Sequence, residues 1–287
     1  MKVTVLEPYG YCAGVELAIN LAIKTKEQNT SKNVVVLGML VHNHDSLKTL
    51  EEHGIKTIFK ENSSLDELIN EIKEPSIVIL SAHGHSKAIE NKLIKNGHQI
   101  VDATCPFVKK SMEEISSELL NNKSVFYIGV KNHPEANAAL SLGEKVYLID
   151  FKNPIIPEIK SDSPMVICQT TLSQSEINNS ITLIKNKYKN AQFIKGICNA
   201  STLRQNAILS IDSSVDMIYV VGGSNSNNSK TLFNLAKSKY PNIKVKLIQN
   251  VEDIKEKDLI GLSHIAISSG ASTPKEIIEQ IKNKLLN

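Results

Sequence analysis

The stretch Ser76-Ile77-Val78-Ile79-Leu80-Ser81-Ala82-His83-Gly84-His85 decides the fold class. Its first half is a short apolar run that reads as a buried strand, and its second half is a polar cluster at that strand's C-terminal end. Runs of the same kind recur along the chain. Before it lie Val3 to Leu6, Val34 to Leu40 and Ile55 to Phe59; after it come Gln99 to Val101, Ser124 to Val130, Lys145 to Ile149 and Met165 to Cys168. The series closes with Ala191 to Ile194, Met217 to Val221, Val245 to Ile248 and His264 to Ser268. Segments of helical period lie between them: Val15 to Gln28, Val108 to Asn121, Gln174 to Tyr188, Thr231 to Tyr240, and Pro274 to Leu286 with proline in its first turn. Such alternation predicts an α/β fold built on small, mostly parallel sheets.

Cys12, Cys105 and Cys198 are spaced at equal intervals of 93 residues in a chain of 287. Each follows an apolar run or a short turn and opens a predicted helix. Set against these cysteines, the strands fall into similar groups of four, which predicts α/β repeats at 13–105, 106–198 and 199–287. The third group lacks a fourth strand, and residues 1–12 can supply it by chain closure. Sequence identity between the thirds is negligible, so the repeat is architectural. No linker separates modules; the proline-rich stretch Asn153 to Pro164 reads as a surface connection between two strands.

Apolar residues make up 41% of the chain and charged ones 22%, as in an ordinary soluble protein. A formal charge of +3 is spread along the whole chain and aromatics are only 5% without tryptophan, so nucleic-acid binding gains no support. The start, Met1-Lys2-Val3-Thr4-Val5-Leu6-Glu7-Pro8, lacks a signal-peptide pattern, and no apolar stretch approaches the about 18 residues of a membrane helix. A reducing, cytoplasmic location is expected, where widely spaced thiols serve catalysis or metal binding more often than disulfides. Cys168, inside Met165-Val166-Ile167-Cys168, reads as a buried strand residue.

Polar clusters follow the predicted strands: Val41-His42-Asn43-His44, Ser81-Ala82-His83-Gly84-His85, Asn132-His133-Pro134-Glu135, Gln169-Thr170-Thr171, Gly222 to Asn228, and Ser268-Ser269-Gly270-Ala271-Ser272. In parallel sheets that edge binds ligands, because helix N-termini point their N–H groups toward it. The residue before proline is driven to an extended conformation, so His133 and Glu135 are expected to project to one side. Such a pair can position and donate a proton where the site raises the acid's pKa. Gly222-Gly223-Ser224-Asn225-Ser226-Asn227-Asn228-Ser229 reads as an oxyanion cradle without the lysine of a P-loop, or as a plain helix-capping loop. With the histidines, it suits a compact anion such as diphosphate. Without close Cys-x-x-Cys spacing a zinc knuckle is disfavoured; the three cysteines are either ligands of one cluster with an open metal corner or separate buried thiols.

The ordered motifs resemble those of one family. They are Tyr11-Cys12-Ala13-Gly14-Val15, Leu40-Val41-His42-Asn43, Ser81-Ala82-His83-Gly84 and Asp102-Ala103-Thr104-Cys105-Pro106, followed by His133-Pro134-Glu135 and Gln169-Thr170-Thr171-Leu172-Ser173. Ile197-Cys198 with Arg204-Gln205, Asn225-Ser226 with Asn228, and Gly270-Ala271-Ser272-Thr273-Pro274 complete the set. From Tyr9 to about Ile278 the chain resembles the LytB/IspH family, the 4-hydroxy-3-methylbut-2-enyl diphosphate reductases of the non-mevalonate isoprenoid pathway. The resemblance implies three α/β domains in pseudo-threefold array around a 4Fe-4S cluster held by Cys12, Cys105 and Cys198, with one iron open. It implies loss of the substrate's allylic hydroxyl as water, using two electrons and two protons, to give isopentenyl and dimethylallyl diphosphates. Glu135 would supply protons near Thr170, and His133 would link it to the diphosphate. His42, His83, His133, Ser226, Asn227, Asn228 and Ser272 would grip that diphosphate, and a flavodoxin or ferredoxin would donate electrons.

Several positions depart from the family pattern. Leu17 stands where arginine is common, Asn227 replaces a serine, and Lys131-Asn132 precede His133 where glycine is frequent. His44 and His85 match no family role and read as solvated neighbours. A quinolinate-synthase-type dehydratase with a tri-cysteine cluster is the nearest rival, though its carboxylate substrate does not call for the Asn225 to Asn228 cradle. A metal-binding redox sensor would need no proton donor such as Glu135.

Overall fold

The computed structural model describes residues 1–61, 63–194 and 196–287, with backbone alone at 44 and 45. Its first strands are β1 (Lys2–Val5), β2 (Val34–Leu37), β3 (Lys56–Ile58), β4 (Ile77–Leu80) and β5 (Gln99–Asp102). Next come β6 (Val125–Gly129), β7 (Val146–Asp150), β8 (Met165–Cys168) and β9 (Gln192–Phe193), then β10 (Met217–Val221), β11 (Lys244–Ile248) and β12 (His264–Ser269). The helices are α1 (Ala13–Glu27), α2 (His44–Glu52), α3 (Leu65–Leu68), α4 (Lys87–Lys95), α5 (Pro106–Leu120), α6 (Pro134–Leu140), α7 (Gln174–Lys187), α8 (Asn199–Leu209), α9 (Asn227–Lys239) and α10 (Lys275–Leu286).

Chain contacts divide into two compact units, one of Met1–Glu16, Val41–Thr49 and Cys198–Asn287, the other of Leu17–Leu40 and Leu50–Ile197. The first unit holds one four-stranded sheet, ordered β1-β12-β10-β11. The second holds two, ordered β3-β2-β4-β5 and β7-β6-β8-β9. Every pairing in these sheets is parallel. Each sheet has the same order, with the second strand of its set at one edge, then the first, the third and the fourth. In the first unit β1 takes the fourth place by pairing with β12, Val3 opposite Ile265, so the fold is α/β with three four-stranded parallel sheets.

The central strands are apolar on both faces because helices cover both. In β10, Met217, Tyr219 and Val221 pack with Ile267, Ile278 and Ile281, while Ile218 and Val220 face Ile208, Leu232 and Ala266. Each such aliphatic side chain contributes roughly 1.5–3 kcal/mol on burial.

Strand ends differ from the sequence reading for identifiable reasons. β2 stops at Leu37 because Gly38 turns the chain at φ +75°. β6 stops at Gly129, and the next N–H, of Val130, donates to the side-chain oxygen of Gln169 at 3.0 Å. Edge strand β9 is only two exposed residues long. Pro274 caps α10 instead of lying in its first turn. Residues 151–164 connect β7 to β8 as expected. No described helix is long and apolar enough to cross a membrane.

Candidate active site

In the second unit the best-defined polar group is Glu135, in the first turn of α6 and only 1% exposed. Its Oε1 accepts from the Tyr127 hydroxyl and from the Thr170 N–H, each at 2.9 Å, and its Oε2 accepts from the Thr170 hydroxyl at 2.9 Å. Burial pushes the carboxyl up to about 7, although these three donors pull the other way. Close to neutrality this acid is divided between its protonated and ionised forms. Here the structure brings together Glu135 and Thr170, which lie 35 residues apart.

His133 caps α6 in an extended conformation, and its Nδ1 accepts the N–H of Glu135 at 3.1 Å. An accepting Nδ1 is unprotonated, so in the neutral ring the proton sits on Nε2. This corrects the expectation that the two side chains project alike: Glu135 is helical, and its carboxyl turns to Tyr127 and Thr170. The His133 ring meets His83 edge to face, with centroids 5.7 Å apart. The His83 loop is tied to the second cysteine, since the Cys105 N–H donates to the Ala82 carbonyl at 3.0 Å.

In the first unit Ser226 caps α9, its hydroxyl accepting the Ser229 N–H at 3.3 Å. Asn227 and Asn228 follow in the first turn, where free N–H groups and the helix dipole favour anions. The Asn228 amide is buried, and neither its nitrogen nor its oxygen has a hydrogen-bond partner among the described residues. A buried amide without partners is costly unless a ligand meets it. Ser229 fits between Gly222 and Gly270; a Cβ at either would lie 2.2 Å from its Oγ, so only glycine lets the loops close on α9. Ser272 donates to the His42 carbonyl at 3.3 Å. Burial, and then the charge of Lys230, push the His42 imidazole down to about 4, so it serves as a neutral hydrogen-bonding group.

Cys12, Cys105 and Cys198 each immediately precede a helix, α1, α5 and α8, and are partly exposed. The Cys198 sulfur accepts the Ser201 N–H at 3.4 Å. No cysteine among the described residues is in a disulfide. Cys168 differs: it is buried in β8, and burial followed by the Glu135 charge pushes its thiol up to about 12. A partly exposed sulfur at a helix N-terminus is chemically suited to thiolate ligation of a metal, whereas Cys168 stays a thiol.

The sequence reading quoted Arg204 in a motif but gave it no role. Its side chain is 2% exposed in α8 and donates to the carbonyls of Gly10 at 2.7 Å and Ala200 at 3.2 Å. Those carbonyls lie two residues before Cys12 and two after Cys198, so the guanidinium ties both cysteine segments of this unit. The adjacent Arg-Gln pair six residues beyond a cysteine was the available signal.

A sequence model of the LytB protein family matches residues 3–286. The chain belongs to the LytB family. It is 38% identical over 281 residues to 4-hydroxy-3-methylbut-2-enyl diphosphate reductase of Malacoplasma penetrans, covering 96% of this chain and 93% of that protein. The Bacillus pumilus enzyme of the same name is 32% identical over 290 residues, covering 100% and 91%. Among solved structures, the E-1-hydroxy-2-methyl-but-2-enyl-4-diphosphate reductase of Plasmodium falciparum superposes with a TM-score of 0.87 at 29% identity, covering 100% of this chain and 88% of that one. Another, described as (E)-4-hydroxy-3-methyl-but-2-enyl diphosphate reductase, the terminal enzyme of the non-mevalonate pathway, gives 0.67 at 28%, covering 100% and 99%.

One departure from the LytB pattern has a physical reading. Asn132 stands at φ +64°, a left-handed conformation that asparagine tolerates best after glycine, so its replacement of glycine keeps the turn into His133. Leu17 is exposed on α1, and nothing in the structure explains it. His85 is no solvated neighbour: its side chain is 7% exposed and pairs with Glu90 at 2.9 Å. The side chain of His44 lies outside the described residues.

Proposed function

We propose that this LytB protein is a 4-hydroxy-3-methylbut-2-enyl diphosphate reductase, acting at the last step of the non-mevalonate pathway with Glu135 as its proton donor. Two electrons and two protons enter. One proton leaves with the allylic oxygen as water and the other ends on the allylic skeleton, giving isopentenyl or dimethylallyl diphosphate. The reading is carried by the buried Glu135 carboxyl, bonded to Thr170 and beside His133, in a chain of this family.

A 4Fe-4S cluster held by Cys12, Cys105 and Cys198 would supply the electrons, and an open iron corner as Lewis acid for the departing hydroxyl. The shared strand order of the sheets supports α/β repeats at 13–105, 106–198 and 199–287, the last completed by 1–12, each giving one cysteine. Protonated Glu135 holds its proton beside the Thr170 hydroxyl, which can accept it and pass on its own to the substrate oxygen. With Nδ1 held as an acceptor, His133 offers Nε2–H toward phosphate, and by the family likeness His83 and His42 would each do the same. Ser226, Asn227, Asn228 and Ser272 add donors at the α9 end, so remote binding energy holds the alcohol in place for reaction. Electrons would come from a flavodoxin or ferredoxin type donor, and cysteines outside disulfides suit a reducing cytoplasm.

Anaerobic purification, iron and sulfide analysis, and turnover with reductant and 4-hydroxy-3-methylbut-2-enyl diphosphate test the proposal. Cys198→Ala should lose the cluster and Cys168→Ala keep it. Absence of isoprenoid diphosphate products from cluster-replete protein would refute the reading.

A further inference from the structure

Tyr127 lies outside every motif that carries the family resemblance, yet it makes one of the three bonds to Glu135. It sits in the middle of β6, fully buried, with Gly129 two residues on and therefore on the same face. A Cβ at Gly129 would stand 2.8 Å from Tyr127 Cε1 and 3.2 Å from Cδ1. The ring thus lies in space that only a missing side chain provides, along its own strand toward the C-terminal edge, where its hydroxyl reaches Glu135.

The two carboxyl oxygens are not equivalent. Oε1 accepts from the Tyr127 hydroxyl and from a peptide N–H, that of Thr170, which cannot reverse its polarity. Among the described residues Oε2 meets only the Thr170 hydroxyl, which can rotate to accept. We propose that Tyr127 is a positioning residue of the proton donor: its hydroxyl holds Oε1 as an acceptor and so places the transferable proton on Oε2, facing Thr170. The proposal rests on reading Glu135 as the donor.

Among the described residues, the titratable groups around Glu135 are Tyr127 from β6, Cys168 at the end of β8 and, through the Glu135 N–H, His133 at the N-cap of α6. Burial, with the Glu135 charge, holds Tyr127 far above its ordinary range, and Cys168 lies at about 12. Both remain neutral across the working range. Tyr127→Phe removes a donor that favours the carboxylate, so the proton on Glu135 should be held to higher pH.

The test is an infrared titration of the holoenzyme, following the carbonyl band of protonated Glu135, assigned by its loss in Glu135→Gln. In Tyr127→Phe the band should titrate about one pH unit higher. The alkaline limb of kcat should move the same way, and KM should stay within about twofold. A band that titrates at the parent pH in Tyr127→Phe would overturn the proposal. Normal turnover by Glu135→Gln would instead refute Glu135 as donor, while the band still reports whether Tyr127 governs its proton.

Discussion

The acid pocket of the second unit and the proposed anion cradle of the first solve opposite problems. The cradle is built from neighbours in sequence, Ser226 to Ser229 at the start of α9, and offers neutral donors that need not change state. The pocket gathers Tyr127, Glu135 and Thr170 from β6, α6 and the turn after β8, and its central group is held where it can change state near neutrality. Binding a fixed charge calls for preorganised N–H and O–H groups, whereas moving a proton calls for burial finely opposed by hydrogen bonds.

Substitutions in the two regions should therefore affect different constants. Glu135→Gln, a shape-conserving mimic of the protonated acid that cannot release a proton, should lower kcat by roughly 10²–10⁴-fold with iron content intact. Steady-state kinetics beside iron analysis will check this. Arg204→Met leaves the Gly10 carbonyl without its donor, while the Ala200 carbonyl keeps its helical N–H, and should cost the cluster-free protein about 1–3 kcal/mol in denaturant unfolding. Asn228→Ala should raise KM about tenfold with kcat nearly unchanged; an equal fall in kcat would erase the distinction between the regions. Smallest of all, Asn227→Ser should shift KM by less than about threefold, because the helix N-terminus supplies donors in either case.

Much of the fold was legible because central strands of parallel sheets are continuous apolar runs, as in Ile77–Leu80 and Met217–Val221. Their ends were less so, since a stop depends on a turn at Gly38 or on Val130 turning to Gln169. The contiguous Ser226–Ser229 helix start could be read directly, as a cradle or as a capping loop, and His133-Pro134-Glu135 drew notice as a tripeptide. What the tripeptide could not disclose is the Glu135 environment. Proline before it reads as an extended turn, yet here it starts a helix, and the donors come from positions 8 and 35 residues away. Tyr127 looked like one more apolar strand residue, and Arg204 like one more helix residue. Their roles arise from long-range packing that periodicity does not encode.

The most direct test of the account is kcat against pH for the cluster-replete protein and for Glu135→Gln. Because the Glu135 pKa is raised, the donor form is present below it and is lost as pH rises through about 7. The account predicts that parent turnover falls about tenfold per pH unit above that value, and that Glu135→Gln is slow throughout without this limb. A parent profile that stays flat through pH 7, or a variant as fast as the parent, would contradict it.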